Sequence, residues 1–298
     1  MKPKLQFRLE ALAMRAGLAL VGALPPVMAS SLFGTLARTL GPLVPVSRVA
    51  HANLRLAMPD LDAAARTRIV RGVWENLGRV AAELPQLHRL GPTAAGPGWE
   101  TSGQDILDRL RAAGGPVIFF SGHIANWELL SAIPNRAGTH LASFYRAATN
   151  PLADDVIQNL RARAAGHSVA QFPKGAQGAR GAMAYLKAGG WLGMLVDQKM
   201  NDGIAAPFFG HPAMTAPAAA TFALRYGCPL VPTHIERLGP CRFRLVVEEP
   251  LPMPASGDRL ADVAALTAAM NLYLERWIRA RPEHWLWLHR RWPKEQYK

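Results

Sequence analysis

The stretch SGHIANWELL, residues 121–130, places His123 five positions before Glu128, directly after the apolar run PVIFF. An imidazole whose one nitrogen is fixed by a carboxylate has its other nitrogen free to take a proton from an incoming hydroxyl. On an ideal helix, residues five apart are about 140° apart in projection, so the two would not share a face. The pair works if His123 lies in the turn before a helix and Glu128 points back from its first turns. That helix start would also offer backbone N–H groups to a developing oxyanion or a phosphate. As a lone spacing, H-x4-E also fits a polar turn with no chemistry.

Two further chemistry-bearing residues sit at comparable places. Arg146 follows the apolar HLASFY, and Asp197 follows WLGMLV. A guanidinium at such a position is suited to a phosphate or headgroup, because its fork bonds bidentately. Asp197 is read, through the family resemblance given below, as an acceptor-binding or site-organising acid, with a plain salt bridge as the alternative.

The elements that must position these residues can be read from periodicity. SRVAHANLRLAMP and DAAARTRIVRGVWENLGRVAAEL carry helical spacing. After the Gly/Pro-rich RLGPTAAGPGWETSG, helices and short apolar strands alternate: QDILDRLRAAG, PVIFFSG, NWELLSAIPNRAG, HLASFYR, PLADDVIQNLRARAAG, SVAQF, GARGAMAYLKAGG, WLGMLVDQ. APAAATFALRYG, CPLVPTHIERL, RFRLVVEEP and a long amphipathic helix follow. Such alternation predicts an α/β fold with a mainly parallel central sheet flanked by helices. Sites in these sheets form at the carboxyl ends of strands, where His123, Arg146 and Asp197 all fall. Asn150 before Pro151 is the expected N-cap of the following helix.

Residues 16–37 lack any charged side chain, a length compatible with crossing a bilayer, but Pro25-Pro26 interrupts the run. The expected organisation is a membrane anchor or interfacial segment over residues 1–40 and a single catalytic domain over 41–298, although a cleaved signal or a soluble helical hairpin fits the same residues. The chain carries 34 Lys and Arg against 21 Asp and Glu, a net charge of +13. That excess attracts polyanions, whether nucleic acid, anionic lipid, phosphorylated sugars or an acidic carrier protein. Cys228 and Cys241 stand in unrelated contexts without ligand spacing, so no metal is expected. No G-x-S-x-G elbow is present, which argues against a serine nucleophile. In the tail HWLWLHRRWP, Trp285, Trp287 and Trp292 alternate with His289, Arg290 and Arg291. Tryptophans at a headgroup level with arginines on phosphates is the expected reading. Stacking on single-stranded nucleic acid and plain core packing are the alternatives.

The ordered set GHIANWE, FYRAATNP, DQ, APFFG and PLVPTHIE resembles the lysophospholipid acyltransferase superfamily. Together with WLWLHRRWP it is similar to the branch of late lauroyl and myristoyl acyltransferases of lipid A biosynthesis. The resemblance covers nearly the whole chain. It implies an acyltransferase that moves a fatty acyl chain from an acyl carrier protein thioester to a hydroxyl of a phosphorylated lipid A precursor. No cofactor or nucleic acid is implied, and the place of action is the cytoplasmic side of the inner membrane, on an anionic phospholipid surface. His123 would be the general base and Glu128 its orienting acid. Arg146, Asp197, Asn126, Phe208 and Phe209 would contact substrate, the two phenylalanines from an exposed loop walling the acyl channel. A glycolipid mannoside, a lysophospholipid or a lyso-ornithine lipid are alternative acceptors, and a non-catalytic basic binding protein is the alternative of a different class.

Overall fold

A computed structural model describes residues 4–297. Helices α1 (Leu5–Ala23), α2 (Pro26–Leu40), α3 (Ser47–Ala57) and α4 (Ala63–Glu83) come first, followed by a 3-10 turn at Leu84–Arg89. Strand β1 (Gly98–Ser102) and helix α5 (Gln104–Ala113) lead into the alternating body. This comprises β2 (Val117–Ser121), α6 (Leu129–Arg136), β3 (Leu141–Tyr145), α7 (Pro151–Ala165), β4 (Gln171–Pro173), α8 (Ala176–Lys187) and β5 (Trp191–Leu195). A hairpin of β6 (Lys199–Phe208) and β7 (His211–Thr215) follows. Then come α9 (Ala218–Tyr226), β8 (Leu230–Gly239), β9 (Arg242–Val247) and α10 (Arg259–Ala280).

Seven strands form one sheet in the order β1-β9-β8-β2-β5-β3-β4, parallel except between β8 and β9. Connection length decides this. Strands joined through a helix cross over and pair parallel, whereas only Pro240 and Cys241 separate β8 from β9, so the chain must fold straight back. Every residue of β2 is buried, as a central strand covered by helices on both faces requires. The helix ends follow local chemistry. Asn150 accepts from Leu152 N (3.0 Å) and caps α7 ahead of Pro151, and Asp258 accepts from Leu260 N (2.8 Å) to cap α10.

Two elements were not expected. β1 lies in the Gly/Pro-rich stretch, and the segment read as an exposed loop around APFFG is the β6–β7 hairpin. Its two-residue turn, Phe209-Gly210, has both φ angles positive (51° and 76°), the twist that matches antiparallel strands. A phenylalanine in that conformation is held by tertiary contact: its N–H donates to Glu275 Oε1 at 2.7 Å.

The N-terminal apolar run is broken at Leu24-Pro25, where α1 ends and α2 begins. Proline lacks the N–H needed to continue the ladder. Among the described residues, no single helix is long and apolar enough to cross a membrane. One bent pair, Pro26–Leu43 with Ser47–Ala57 at 85°, has the length and composition only when taken together. Instead α2 packs along α4, and α1 lies across α7, where Asn150 Nδ2 donates to Phe7 O (2.9 Å) and Glu10 Oε2 (2.9 Å). Both helices leave leucines outward, with Leu12 64% and Leu20 74% exposed on α1.

Candidate active site

Four parallel strands, β2, β5, β3 and β4, are consecutive in the sheet, and their carboxyl ends therefore line one edge. Ser121 of β2 pairs in register with Leu195 of β5. His123 and Asp197 each lie two residues beyond that pair, so the register alone brings them together. His123 Nδ1 is 2.8 Å from Asp197 Oδ1, and the His123 backbone N–H donates to Asp197 Oδ2 at 2.8 Å. The Trp285 indole N–H donates to the same Oδ2 at 2.8 Å.

Asp197 is fully buried. Burial opposes its ionisation, but the His123 imidazole and the surrounding hydrogen bonds outweigh it and hold the carboxyl well below the usual carboxylate range. An ionised carboxylate can only accept, so Nδ1 carries the ring's proton and the lone pair of the neutral ring is on Nε2. Nε2 makes no hydrogen bond within the described residues, and the side chain is 17% exposed. Burial pushes the imidazole down; Asp197, and more weakly Glu128, push it up, and the net shift is upward. Lys174, at the carboxyl end of β4, opposes that rise. Its backbone N–H bonds Tyr145 O at 3.0 Å, beside the exposed Arg146.

The carboxylate on His123 is thus that of Asp197 and not, as the H-x4-E spacing suggests, that of Glu128. Both Glu128 oxygens accept from Arg161 of α7, from Nε at 2.7 Å and from Nη2 at 2.8 Å. Helix α6 starts only after Glu128, and the intervening residues are stitched to the C-terminal tail. Ala125 N donates to His284 O (2.9 Å), and Leu286 N donates to His123 O (3.2 Å). That turn, with Ala125 at φ 50°, aims Glu128 toward α7. Arg161 carries no sequence signal, because an arginine on an amphipathic helix is ordinarily solvated.

Three of the other expected substrate contacts, Asn126, Phe208 and Phe209, are buried, whereas Arg146 is exposed. Asn126 is fully buried and donates from Nδ2 to Glu83 Oε2 at 2.8 Å, so it supports the loop from below. Phe208 and Phe209 are also buried, against Trp285, Trp287 and Trp292, and form core rather than a channel wall on an exposed loop. Much of the tail likewise faces inward. Its three tryptophans are buried, and Arg291 is enclosed, donating to Thr215 Oγ1 (2.7 Å) and Met214 O (3.1 Å). Burial pulls that guanidinium down to about 10. Core packing is what the three tryptophans and Arg291 do, while Arg290 stays exposed, and Trp285 ties that core to the site.

Gly122 leaves room for Leu274 of α10 and for the Asp197 carboxyl. A Cβ there would stand 2.8 Å from Leu274 Cδ2 and 3.2 Å from Asp197 Cγ. Gly122→Ala should therefore displace Asp197 and lower turnover by roughly 10- to 100-fold without unfolding the chain, checked by steady-state rates alongside a melting curve.

Beneath the loop lies a buried ionic network. Glu83 of α4 accepts from Arg237 Nη2 (2.9 Å), Ser30 Oγ (2.7 Å) and Asn126 Nδ2 (2.8 Å). Asn76 Nδ2 donates to Ala125 O at 3.0 Å, and its Oδ1 accepts from Arg237 Nε at 3.0 Å. Glu83 and Arg237 side chains are 0% and 6% exposed. Removing one partner strands a buried charge, so Glu83→Gln should cost about 3–5 kcal/mol in denaturant unfolding. The double variant Glu83→Gln/Arg237→Met should recover much of it.

A mainly parallel α/β sheet that carries, at its carboxyl edge, a histidine held by a buried carboxylate is thus the arrangement the chain presents. The sequence profile described as bacterial lipid A biosynthesis acyltransferase matches residues 4–294, and the chain belongs to that family. It is 26% identical over 280 residues to the lipid A biosynthesis myristoyltransferase of Escherichia coli K12, covering 93% of this chain and 83% of that protein. It is 27% identical over 282 residues to lipid A biosynthesis acyltransferase 1 of Shigella flexneri, with the same coverage of 93% and 83%. With the lipid A biosynthesis palmitoleoyltransferase of Escherichia coli K12 it shares 24% over 247 residues, 82% of this chain and 77% of that one. Membership of that family makes the protein an acyltransferase.

Proposed function

We propose that the chain transfers a fatty acyl group from an acyl carrier protein thioester to a hydroxyl of a lipid A precursor, with His123 as general base. The observation that carries this is the 2.8 Å Nδ1–Asp197 contact, which leaves Nε2 as the proton acceptor. Nε2 takes the acceptor's hydroxyl proton as its oxygen attacks the thioester carbonyl. A C–O bond forms, the C–S bond breaks, and the proton passes from Nε2 to the departing thiolate of the carrier. No acyl-enzyme is needed, because the thioester is already activated.

Asp197 orients the ring and stabilises the imidazolium. Glu128, held by Arg161, adds negative charge near the ring and favours its protonated form. Arg146 and Lys174, at neighbouring strand ends, are suited to phosphates of the acceptor or of the carrier's prosthetic arm. The net charge of +13 suits an acidic carrier protein. The outward leucines of α1 and α2 support an interfacial seat on the cytoplasmic face of the inner membrane.

The test is transfer of radiolabelled acyl chain from acyl carrier protein to a tetraacylated lipid A precursor by the purified chain. Product on the precursor supports the reading. Thioester consumed only with a different lipid acceptor would overturn the acceptor, and none consumed with any would overturn the reaction.

A further inference from the structure

A cleft of about 460 Å³ opens between α1, the 3-10 turn Leu84–Arg89 and α7, and His123 is not among the residues that line it. Its walls carry three guanidinium groups, Arg15, Arg89 and Arg163, and an apolar side made by Leu18, Val156 and Leu160. No carboxylate lines it, and none of the three arginines forms a salt bridge within the described residues. Arg89 is anchored by Gly22 O (3.2 Å), Leu24 O (3.2 Å) and Gln86 Oε1 (3.1 Å), which aims it rather than neutralises it. Arg163 Nη2 lies 3.2 Å from His88 Nε2, so the contact requires His88 neutral. Burial and then Arg163, Arg89 and Arg136 push His88 down, while only the Pro85 carbonyl pushes it up.

Three like charges gathered without a counter-ion, beside an apolar wall, are relieved by an anion that carries hydrocarbon. Leu12, one turn before Arg15 on α1, is exposed, so a chain leaving the cleft past Arg15 would meet an apolar side chain. We infer that this cleft seats the phosphate of an anionic lipid, with the first part of its chain against Leu18, Val156 and Leu160. The inference rests on the membrane-facing reading of α1. Bilayer phospholipid and the phosphorylated acceptor share this chemistry; the seat is assigned to the phosphate and adjoining hydrocarbon common to both. Because α7 also carries Arg161, a lipid clamped between α1 and α7 would fix the active edge relative to the bilayer.

The experiment uses the full chain with Arg15→Gln/Arg163→Gln, and Arg68→Gln/Arg71→Gln on α4 as a control of equal charge. Binding is measured to vesicles of phosphatidylcholine and to vesicles of phosphatidylcholine with phosphatidylglycerol. The cleft variant should lose roughly 10- to 30-fold in its preference for the anionic vesicles while keeping its binding to neutral ones. The control should keep the wild-type preference. Equal losses in both variants, or none in the cleft variant, would overturn the site. Loss of neutral-vesicle binding by the wild type's own standard would instead count against the membrane-facing reading of α1. In the wild type, soluble dihexanoyl phosphatidylglycerol should raise the NMR-titrated pKa of His88. To separate the sources, the same titration is run with the tetraacylated precursor in micelles, and a tighter response to it assigns the seat to the acceptor. Inorganic phosphate acting as well as either lipid, or no shift with any, would overturn a lipid seat.

Discussion

His123→Ala should abolish acyl transfer, lowering the rate by roughly 10²- to 10⁴-fold, the usual worth of a positioned general base. The loss should appear in kcat, because the imidazole acts on the proton that moves in the transition state rather than on substrate binding. The fold should survive the substitution. Asp197 would keep two of its three donors, the backbone N–H at position 123 and the Trp285 indole. A thermal midpoint near that of the wild type, with transfer gone, is the expected result. Transfer at wild-type rate by a folded His123→Ala chain would remove His123 from the chemistry.

Asp197→Asn should be nearly as damaging, by on the order of 10³-fold, and should in addition move the pH profile. The amide can present either its oxygen or its NH₂ to Nδ1. The second choice forces the proton onto Nε2, the atom that must be free. The sign of the pH effect follows from the resting pair. Asp197 raises the His123 pKa above 6.5, and the base form is the one that works. In the wild type, kcat/KM should therefore fall as pH drops through that raised value. With the negative charge gone, burial dominates, and the acid limb should move to lower pH even though the plateau is far lower. Glu128→Gln makes a useful contrast. It leaves the Nδ1 partner in place, so a smaller displacement in the same direction is expected, measured on the same profile. A profile that responds to Glu128→Gln more than to Asp197→Asn would restore Glu128 as the orienting acid.

The alternation of helices and short apolar strands was readable because each element obeys one period. β2 is apolar throughout, and α7 announces itself through Asn150-Pro151 and ends at Gly166 with φ 83°. The hairpin at β6–β7 was not readable. Its strands contain Asp, Gly, Ala and Pro in place of an alternating apolar pattern, and its turn places a phenylalanine where glycine or asparagine is usual. β1 was hidden for a similar reason. Its position at the sheet edge is set by register with β9, and little in GWETS demands a strand. The tail misled because tryptophan beside arginine has the same composition whether it faces lipid or core. Only packing against Phe208 and Phe209 distinguishes the two.

From the chain alone follow the fold class, the family resemblance, and the placing of His123, Arg146 and Asp197 at strand ends, all consequences of local periodicity and motif order. Which acid serves the histidine did not follow. A spacing along the chain names Glu128, but the partner depends on the order of strands and their register. These put Asp197 beside His123 across one β2–β5 step and send Glu128 to Arg161. Strand order is chosen by the whole set of buried faces and crossovers at once. For that reason the tertiary structure, and no local stretch of sequence, decided the pair on which the proposed chemistry depends.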